Sequence, residues 1–348
     1  MTSSQFPSPS LVAHEAAQLR QAHLTKPAGS LGRLETLAID LATWFDDPLP
    51  QARPAGALLF AADHGVSLRG VSAYPREVTR AMVCNFLNCG AAAAVLARHH
   101  RIPLTVIDVG VAGGPIEWAS PGYVRSPVAD ASSGDLVETD SMDQATLDAA
   151  LQAGKDAVQS MPPDTRVLIL GEMGIGNTTV ASALAASLLG GDAKDWVGRG
   201  TGVDDTVLQL KRDVVDAALA RVRPESRPRE LLRRLGGREI AAMAGAMIEA
   251  GRLRRVVLVD GFIVTAAALV ATQLEPQLRR ALMFAHRSAE AAHDRMLQAL
   301  CARPLLDLEL RLGEGSGALV AWSLLDMACC LHCEMATFES AAVPNRSP

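Results

Sequence analysis

Two glutamates stand next to glycines, in stretches where the backbone can come close to a ligand. Glu172 lies in the sequence GEMGIGN (171–177), and Glu314 lies between two glycines in RLGEGSGA (311–318). A carboxylate in such a loop can be partly desolvated, which raises its pKa and makes it a competent base near neutral pH. The alternative for Glu314 is an acid that caps the helix beginning at Ala318, and spacing alone does not separate the two.

The segment around Glu172 also has the pattern of an anion site. Val167 to Leu170 is a run of four apolar residues that predicts a strand buried on both faces. Glycines then open a turn, residues 177–179 suit a helix start, and Val180 to Leu189 reads as helix. Backbone N–H groups at such a helix start favour a phosphate. The alternative is a tight turn without a ligand. Gly198 to Gly202 is a second candidate anion loop.

The rest of the chain predicts the elements that position these residues. Five or six apolar strands alternate with helices, which indicates a parallel sheet covered by helices on both faces. Asp63, Glu172, Asp260 and Ser288 follow strands and should therefore line one edge of the sheet, where α/β proteins bind ligands. The remaining predicted strands are Ala57 to Ala61, Leu104 to Val109, Val256 to Val259 and Ala281 to Ala285.

Some local predictions concern helix ends and single side chains. Ser30 is expected to cap the second helix, and Glu77 to His99 reads as one Ala-rich helix. Leu305 to Leu312 alternates and predicts an edge strand or a helix. His64 is expected to be a hydrogen-bonded structural histidine rather than a catalytic one.

Composition excludes several classes of function. The chain has 348 residues, 49% of them hydrophobic and 4% aromatic, and a net charge of −5, which does not suggest nucleic-acid binding. The longest apolar run, Val256 to Thr272, is interrupted and too short to span a membrane. Six cysteines do not indicate a disulfide framework, and the pair Cys330 and Cys333 reads as buried thiols. No secretory signal is visible, so a cytoplasmic enzyme is expected.

Familiar catalytic motifs do not fit. A P-loop needs GK[ST] after its glycines, whereas Gly176 is followed by Asn-Thr-Thr. A nucleophile elbow needs GxSxG, and the residue two before Ser316 is Glu314. The residues alone therefore indicate an α/β enzyme with a phosphate-bearing small substrate and one or two working glutamates.

A resemblance goes further. The motifs stand in the order and at about the spacing of the nicotinate-nucleotide–dimethylbenzimidazole phosphoribosyltransferase family, which the chain resembles from about residue 11 to 340. They are LTKPAGSLGRLE (24–35), AADHGVSLRGVSAYPREVT (61–79), GEMGIGNTT (171–179), GRGTGVDD (198–205), DGFI (260–263), HRSAE (286–290) and RLGEGSGA (311–318).

The resemblance implies a reaction and an architecture. The family transfers the phosphoribosyl group of nicotinate mononucleotide to 5,6-dimethylbenzimidazole, giving α-ribazole 5′-phosphate and nicotinate, without a cofactor or metal. The fold would be a Rossmann-like parallel sheet with helices on both faces, plus a small helical domain from both chain ends, in a homodimer. Residues 1–50 would begin the small domain, 51–290 would form the large domain, and 291–348 would complete the small domain and carry the catalytic glutamate loop.

The resemblance also implies roles for particular residues. Glu314 would be the general base, and Glu172 would face the ribose or aid proton handling. The remaining residues would bind the substrates. Gly174, Ile175, Gly176 and Asn177 would hold the nucleotide phosphate, and Gly202, Lys211 and Ser288 would assist in binding the nucleotide. Ser72 and Tyr74 would lie beside the benzimidazole. Arg76 and Ala81 replace two glutamines expected in many relatives, so the preferred base stays open.

Overall fold

The computed structural model describes residues 6–117, 122–200 and 202–344. Its sheet is all-parallel, with the strands in the spatial order 3-2-1-4-5-6. The strands are β1 (Ala55–Ala62), β2 (Leu104–Gly110), β3 (Tyr123–Arg125), β4 (Val167–Met173), β5 (Val256–Val259) and β6 (Leu282–Phe284).

Helices precede the sheet, connect its strands and follow it. They are α1 (Leu11–His23), α2 (Arg33–Phe45), α3 (Val78–Leu87), α4 (Ala92–His100), α5 (Gln144–Gln159), α6 (Asn177–Leu189), α7 (Ala193–Trp196), α8 (Asp205–Val222), α9 (Pro228–Leu235), α10 (Arg238–Arg252), α11 (Phe262–Leu274), α12 (His293–Ala299) and α13 (Ser316–Glu334).

The central strands are buried on both faces. All residues of β1 after Ala55 are buried, and so are all residues of β4 before Met173. Because successive side chains of a strand point to opposite faces, such a run requires cover on both sides of the sheet. The predicted Rossmann-like α/β fold is therefore confirmed. The strand order reverses between β1 and β4, and ligands bind beyond the carboxyl ends of the strands at this point.

The prediction of one helix over Glu77 to His99 is wrong. The chain breaks after α3, where Cys89 adopts a left-handed φ of 59°, and α4 then begins at Ala92. Asn88, Cys89 and Gly90 have low helix propensity, so the sequence carries a local signal for this break, although the Ala-rich segments beside it favour helix. The break creates an additional helix N-terminus close to β4.

Two further local predictions are wrong. Ser30 does not cap α2, because Gly32 occupies the N-cap with a φ of 54° and Glu35 accepts a hydrogen bond from the Leu31 N–H. The segment 305–312 is neither strand nor helix. It runs beside the chain that follows β6, and main-chain hydrogen bonds join Leu306 to Ala285 and to Arg287.

Helices from the two ends of the chain pack together. α2 contacts both α1 and α13, and Leu37, Ala38 and Ala328 form a small apolar cluster apart from the main core. The division into 1–50, 51–290 and 291–348 stays a prediction. Within the described ranges, Val78–His100 and Ser316–Glu334 have the length and composition of a membrane span, but the first of them is broken into α3 and α4. α13 packs on β4 and β5, which explains its apolar composition.

The turn that carries Glu314 lies directly against β4. A Cβ atom at Gly171 would overlap the carbonyl group of Glu314, and a Cβ at Gly315 would lie 3.1 Å from the Gly171 Cα. Only glycine at position 171 therefore allows the two main chains to approach this closely.

We expect Gly171→Ala to displace this turn. The added methyl group should lower the free energy of unfolding by about 1–3 kcal/mol and accelerate hydrogen exchange in residues 311–318, measured by urea unfolding and mass spectrometry. Gly154→Ala is the matched control, because its Cβ would overlap the carbonyl oxygen of Ala242 in α10. It should destabilise the protein without changing exchange at 311–318. Unchanged exchange at this turn in Gly171→Ala would contradict the expectation.

Candidate active site

A cavity of about 660 Å³ opens at the carboxyl ends of the central strands. It contains both glutamates singled out in the sequence, Glu172 and Glu314, and the turn that precedes α6. Its wall also includes residues that follow β1, β5 and β6. The predicted site residues on this wall are Ser72, Tyr74, Glu172, Gly174, Ile175, Gly176, Asn177, Lys211, Ser288 and Glu314.

Gly202 is the one predicted site residue that is not on the cavity wall. The neighbouring residues Arg199 and Gly200 are on it instead. Thr201, which belongs to the same candidate anion loop, lies outside the described residues.

The turn between β4 and α6 forms a main-chain cradle. Gly176 is the N-cap of α6 with a φ of 94°, and no side chain caps the helix. A Cβ at Gly174 would overlap the carbonyl oxygen of Ala62, so glycine is also required there. The Ile175 N–H donates to Thr79 Oγ1 at 3.1 Å, which anchors the turn to α3. An uncapped N-terminus of a 13-residue helix is suited to an anion.

A buried lysine stands beside this cradle. Lys211 is 2% exposed, and its Nζ donates to Thr178 Oγ1 at 3.2 Å and to the Gly198 carbonyl at 3.1 Å. Burial lowers the pKa of Lys211, and the charge of Glu290 opposes this effect. The resolved contacts of Lys211 are to neutral oxygen atoms, so its charge is available to a bound anion.

Glu172 lies between the cradle and the turn that carries Glu314. Its carboxyl group accepts a hydrogen bond from the Asn177 side chain, and a Cβ at Gly313 would overlap it. Burial raises the pKa of Glu172 to about 8, and the nearby charges of Asp260 and Glu239 act in the same direction. The carboxyl group is therefore mostly protonated at neutral pH.

Glu314 points into the protein and not into bulk solvent. It is 6% exposed and has a left-handed φ of 66°, between Gly313 and Gly315, which also have positive φ. Its Oε2 accepts a hydrogen bond of 3.3 Å from the Ala93 N–H in the first turn of α4. Burial raises the pKa of Glu314, the Ala93 hydrogen bond opposes the rise, and the charge of Asp260 adds to it.

The alternative role of Glu314 as a helix cap does not hold. The N-cap of α13 is Gly315, which has no side chain, and the carboxylate that meets this helix start belongs to Asp260. Its Oδ1 accepts from the Ala318 N–H at 2.8 Å and its Oδ2 from the Gly315 N–H at 3.2 Å.

The part of the wall after β1 is mainly apolar. Val71, Val78 and Met82 line it, beside Ser72 and Tyr74. Tyr74 is 50% exposed, and its N–H donates to Ser72 Oγ at 3.1 Å, so the tyrosine ring stands at the rim. A planar apolar ring fits against such a surface.

Three residues for which the sequence left a role open lie outside this wall. His64 is fully buried, with its Nε2 3.2 Å from Glu239 Oε1, and Arg76 has its Nε 3.7 Å from Asp63 Oδ2. Neither of them lines the cavity, and neither does Ala81. His64 therefore has a buried carboxylate within ion-pair distance, and the hydrogen-bonded structural role expected for it stays a prediction.

Several wall residues received no role from the sequence. Arg311 donates to the Gly200 carbonyl at 3.2 Å, which joins the Glu314 segment to the second glycine-rich loop. His286 follows β6 and has its Nε2 3.5 Å from Asp260 Oδ1. The position of Asp260 after a strand already placed it at the edge of the sheet where ligands bind. Arg199, Arg311 and His286 could not be chosen from their spacing alone.

Comparisons with known proteins agree with one another. A family model described as "Phosphoribosyltransferase" (DBI_PRT) matches residues 6–343. The nicotinate-nucleotide–dimethylbenzimidazole phosphoribosyltransferase of Xanthomonas axonopodis pv. citri is 49% identical over 331 residues, covering 95% of this chain and 94% of that protein. The protein of the same name from Pseudomonas putida is 48% identical over 337 residues, covering 96% and 95%.

A solved structure is also similar. The crystal structure of the protein of that name from Thermus thermophilus matches with a TM-score of 0.90 and 40% identity. It covers 97% of this chain and 100% of its own.

The sheet order and the cavity define a Rossmann-like α/β enzyme with an anion cradle and a buried acid in one site. With these relatives, the chain belongs to the nicotinate-nucleotide–dimethylbenzimidazole phosphoribosyltransferase family. It is therefore a phosphoribosyltransferase, a glycosyltransferase-type enzyme, as the motifs predicted.

The raised pKa of Glu172 predicts a pH dependence of stability. A carboxyl group with a pKa of 4.5 when unfolded and about 8 when folded stabilises the protein fully below pH 4.5 and progressively less as the pH rises to 8. Glu172→Gln should remove this loss, so the variant should gain on the order of several kcal/mol relative to the parent between pH 5 and pH 8.5. Urea unfolding at both pH values measures the difference.

Glu309→Gln is the control, because Glu309 lines the same cavity but is exposed. Its stability should follow that of the parent at both pH values. Parallel pH curves for Glu172→Gln and the parent would show that Glu172 ionises normally.

Proposed function

We propose that the protein transfers the phosphoribosyl group of nicotinate mononucleotide to 5,6-dimethylbenzimidazole. The products are α-ribazole 5′-phosphate and nicotinate, and the reaction provides the lower-ligand nucleotide of cobalamin. The observation that carries the proposal is the meeting of three features in one cavity: an uncapped helix N-terminus with a buried lysine, an apolar wall, and the buried carboxylate of Glu314. The names of the relatives support the choice of substrates.

The reaction is a single displacement that inverts the anomeric carbon. Nicotinate leaves from a cationic ring nitrogen and therefore needs no acid. One benzimidazole nitrogen attacks C1′ from the opposite face, which converts the β to the α configuration. The second nitrogen loses a proton as the first bonds to carbon. One positioned base is sufficient, and such help is worth roughly 10²–10⁴-fold in rate.

The chain offers a suitable group for each of these steps. The 5′-phosphate would lie on the turn Gly174–Asn177 beside Lys211, and Ser288, which lines the same cavity, would also contribute to binding the nucleotide. The benzimidazole would lie near Ser72 and Tyr74, where the wall is apolar. Glu314 would accept the proton, because the Ala93 N–H at the start of α4 helps to stabilise its ionised form.

Glu172 is the less suitable base. Because its pKa is raised to about 8, it retains a proton at neutral pH and is able to donate a hydrogen bond. We propose that this neutral acid faces the ribose between the phosphate site and Glu314. Its hydrogen bond from Asn177 keeps it beside the cradle.

We further propose a homodimer in the cytoplasm. The exposed side chains of Leu11, Val12 and Leu19 on α1 are candidates for a subunit contact. The six cysteines are free, as is usual in a reducing compartment.

Glu314→Gln tests the base. The turnover number should fall by roughly 10²–10⁴-fold, because the amide cannot accept the proton, whereas binding of nicotinate mononucleotide should be nearly unchanged. Steady-state kinetics and calorimetric titration measure the two quantities. Glu309→Gln, on the exposed part of the wall, should retain turnover. Full turnover in Glu314→Gln would eliminate Glu314 as the base.

Product analysis of the parent enzyme separates the transferase from its rivals. Nuclear magnetic resonance should show only the α anomer, and nicotinate should not be released at full rate without an acceptor. A panel of other bases in the same assay identifies the preferred acceptor, which Arg76 and Ala81 leave open.

Lys211→Met tests the phosphate site. The loss of a charge-assisted hydrogen bond is worth about 1.5–3 kcal/mol, so the KM for nicotinate mononucleotide should rise about tenfold or more. Nicotinate riboside has no phosphate and should be used equally by the variant and the parent. Lys194→Met, at an exposed lysine, is the control. An equal effect on both donors would contradict the phosphate role.

A further inference from the structure

A carboxylate that follows β5 joins the main chain directly after Glu314 to the sheet. We propose that Asp260 is a positioning residue for Glu314, because its two carboxylate oxygens hold the main chain on the C-terminal side of that glutamate. This inference rests on the proposed function. It assigns to Asp260 a role that acts on Glu314 through the main chain of the turn and through its charge.

The hydrogen bonds of Asp260 fix the start of α13. Asp260 follows β5, is 1% exposed, and accepts from the N–H groups of Gly315 and Ala318. Gly315 is the residue after Glu314 and has a φ of 81°; within the turn, Ser316 Oγ donates to the Gly313 carbonyl at 2.7 Å, but no side chain of the turn caps the helix. A carboxylate at a helix N-terminus is favoured by both the hydrogen bonds and the helix dipole.

The packing around Asp260 leaves little freedom for the turn. His286 Nε2 lies 3.5 Å from Asp260 Oδ1, and a Cβ at Gly317 would overlap the His286 ring. On the other side, the turn lies against Gly171 in β4. A shift of the Gly315 N–H away from Asp260 would therefore carry Glu314 with it.

Asp260 also acts on Glu314 by its charge. The groups that face Glu314 are the Ala93 N–H of α4, the carboxylate of Asp260 after β5, and the carboxyl group of Glu172 in β4. Asp260 in turn faces His286, whose pKa burial lowers, although the hydrogen bond and charge of Asp260 outweigh burial and raise it. Because Asp260 and Glu314 are like charges, removing the charge of Asp260 should lower the pKa of Glu314.

Two variants test the two effects of Asp260. Asp260→Asn removes the charge and replaces one of the two accepting oxygens by an NH2 group, which cannot accept from the Gly315 or Ala318 N–H, and Asp260→Glu keeps the charge and displaces the carboxylate. A misplaced catalytic group costs up to about 10²-fold in rate, so the turnover number should fall by about 10- to 100-fold in both. The KM for nicotinate mononucleotide should stay within about threefold, because the anion cradle is unchanged.

The pH profile of turnover distinguishes this role from a purely structural one. The acidic limb should move to lower pH in Asp260→Asn, because Glu314 then loses its proton more easily, and should stay in place in Asp260→Glu. Hydrogen exchange of residues 313–319 should accelerate in both. If Asp260→Asn does not fold, as judged by circular dichroism, the turnover and exchange of Asp260→Glu decide the question.

Asp108→Asn is the matched control. Asp108 is a fully buried carboxylate at the end of β2, where it accepts from the N–H groups of Gly110 and Val111, and it does not line the cavity. This variant should lose stability without a change in the acidic limb or in exchange at 313–319.

The outcomes separate this inference from the proposed function. Normal turnover and exchange in folded Asp260→Asn or Asp260→Glu would overturn the positioning role, even if Glu314→Gln is inactive. Full turnover in Glu314→Gln would overturn the base, while the exchange data would still report on whether Asp260 holds the turn.

Discussion

The structure of the site depends on the close approach of two main chains, those of β4 and of the turn 313–315. Gly171 permits this approach from the strand, and the positive φ values of Gly313, Glu314 and Gly315 permit it from the turn. The approach brings a glutamate from near the end of the sequence to the main-chain cradle that follows the same strand. β4 therefore leads directly into the cradle, and its contact with the turn 313–315 fixes the position of Glu314.

This approach also concentrates acidic groups in a buried region. Glu172, Asp260 and Glu314 are each less than one-tenth exposed, and burial and, to a smaller extent, the charge of Asp260 raise the pKa of both glutamates. Such a cluster would be unfavourable without compensation. Main-chain N–H groups at the starts of α4 and α13 provide part of it, and the Asn177 amide provides another part. Protonation of Glu172 at neutral pH provides a further part.

The sequence alone predicted the features that depend on local pattern. The apolar run 167–170 gave the central strand, the glycines after it gave the cradle, and the residues that follow strands gave the edge where Asp260 and Ser288 lie. The position of Glu314 in the cavity followed from its glycine neighbours and the family motif. Its catalytic role, like those of the other site residues, stays a prediction.

Features that depend on tertiary contacts were not predictable in this way. The alternation of residues 305–312 suggests regular structure, yet the segment is held by main-chain hydrogen bonds to the chain after β6. Ser30 has the residue type of a cap, but the backbone of Gly32 decides where α2 begins. The capping of α13 by Asp260 joins residues more than fifty positions apart, and no local pattern encodes it.

The break between α3 and α4 shows how the course of the main chain affects the chemistry of Glu314. An uninterrupted helix over residues 77–99 would have its amide groups near position 93 bonded internally, with none free to face Glu314. Because Cys89 turns the chain, the Ala93 N–H is instead in a first helical turn and donates to the Glu314 carboxylate. This hydrogen bond opposes the effect of burial, so a buried glutamate is able to lose its proton and to take one from a substrate.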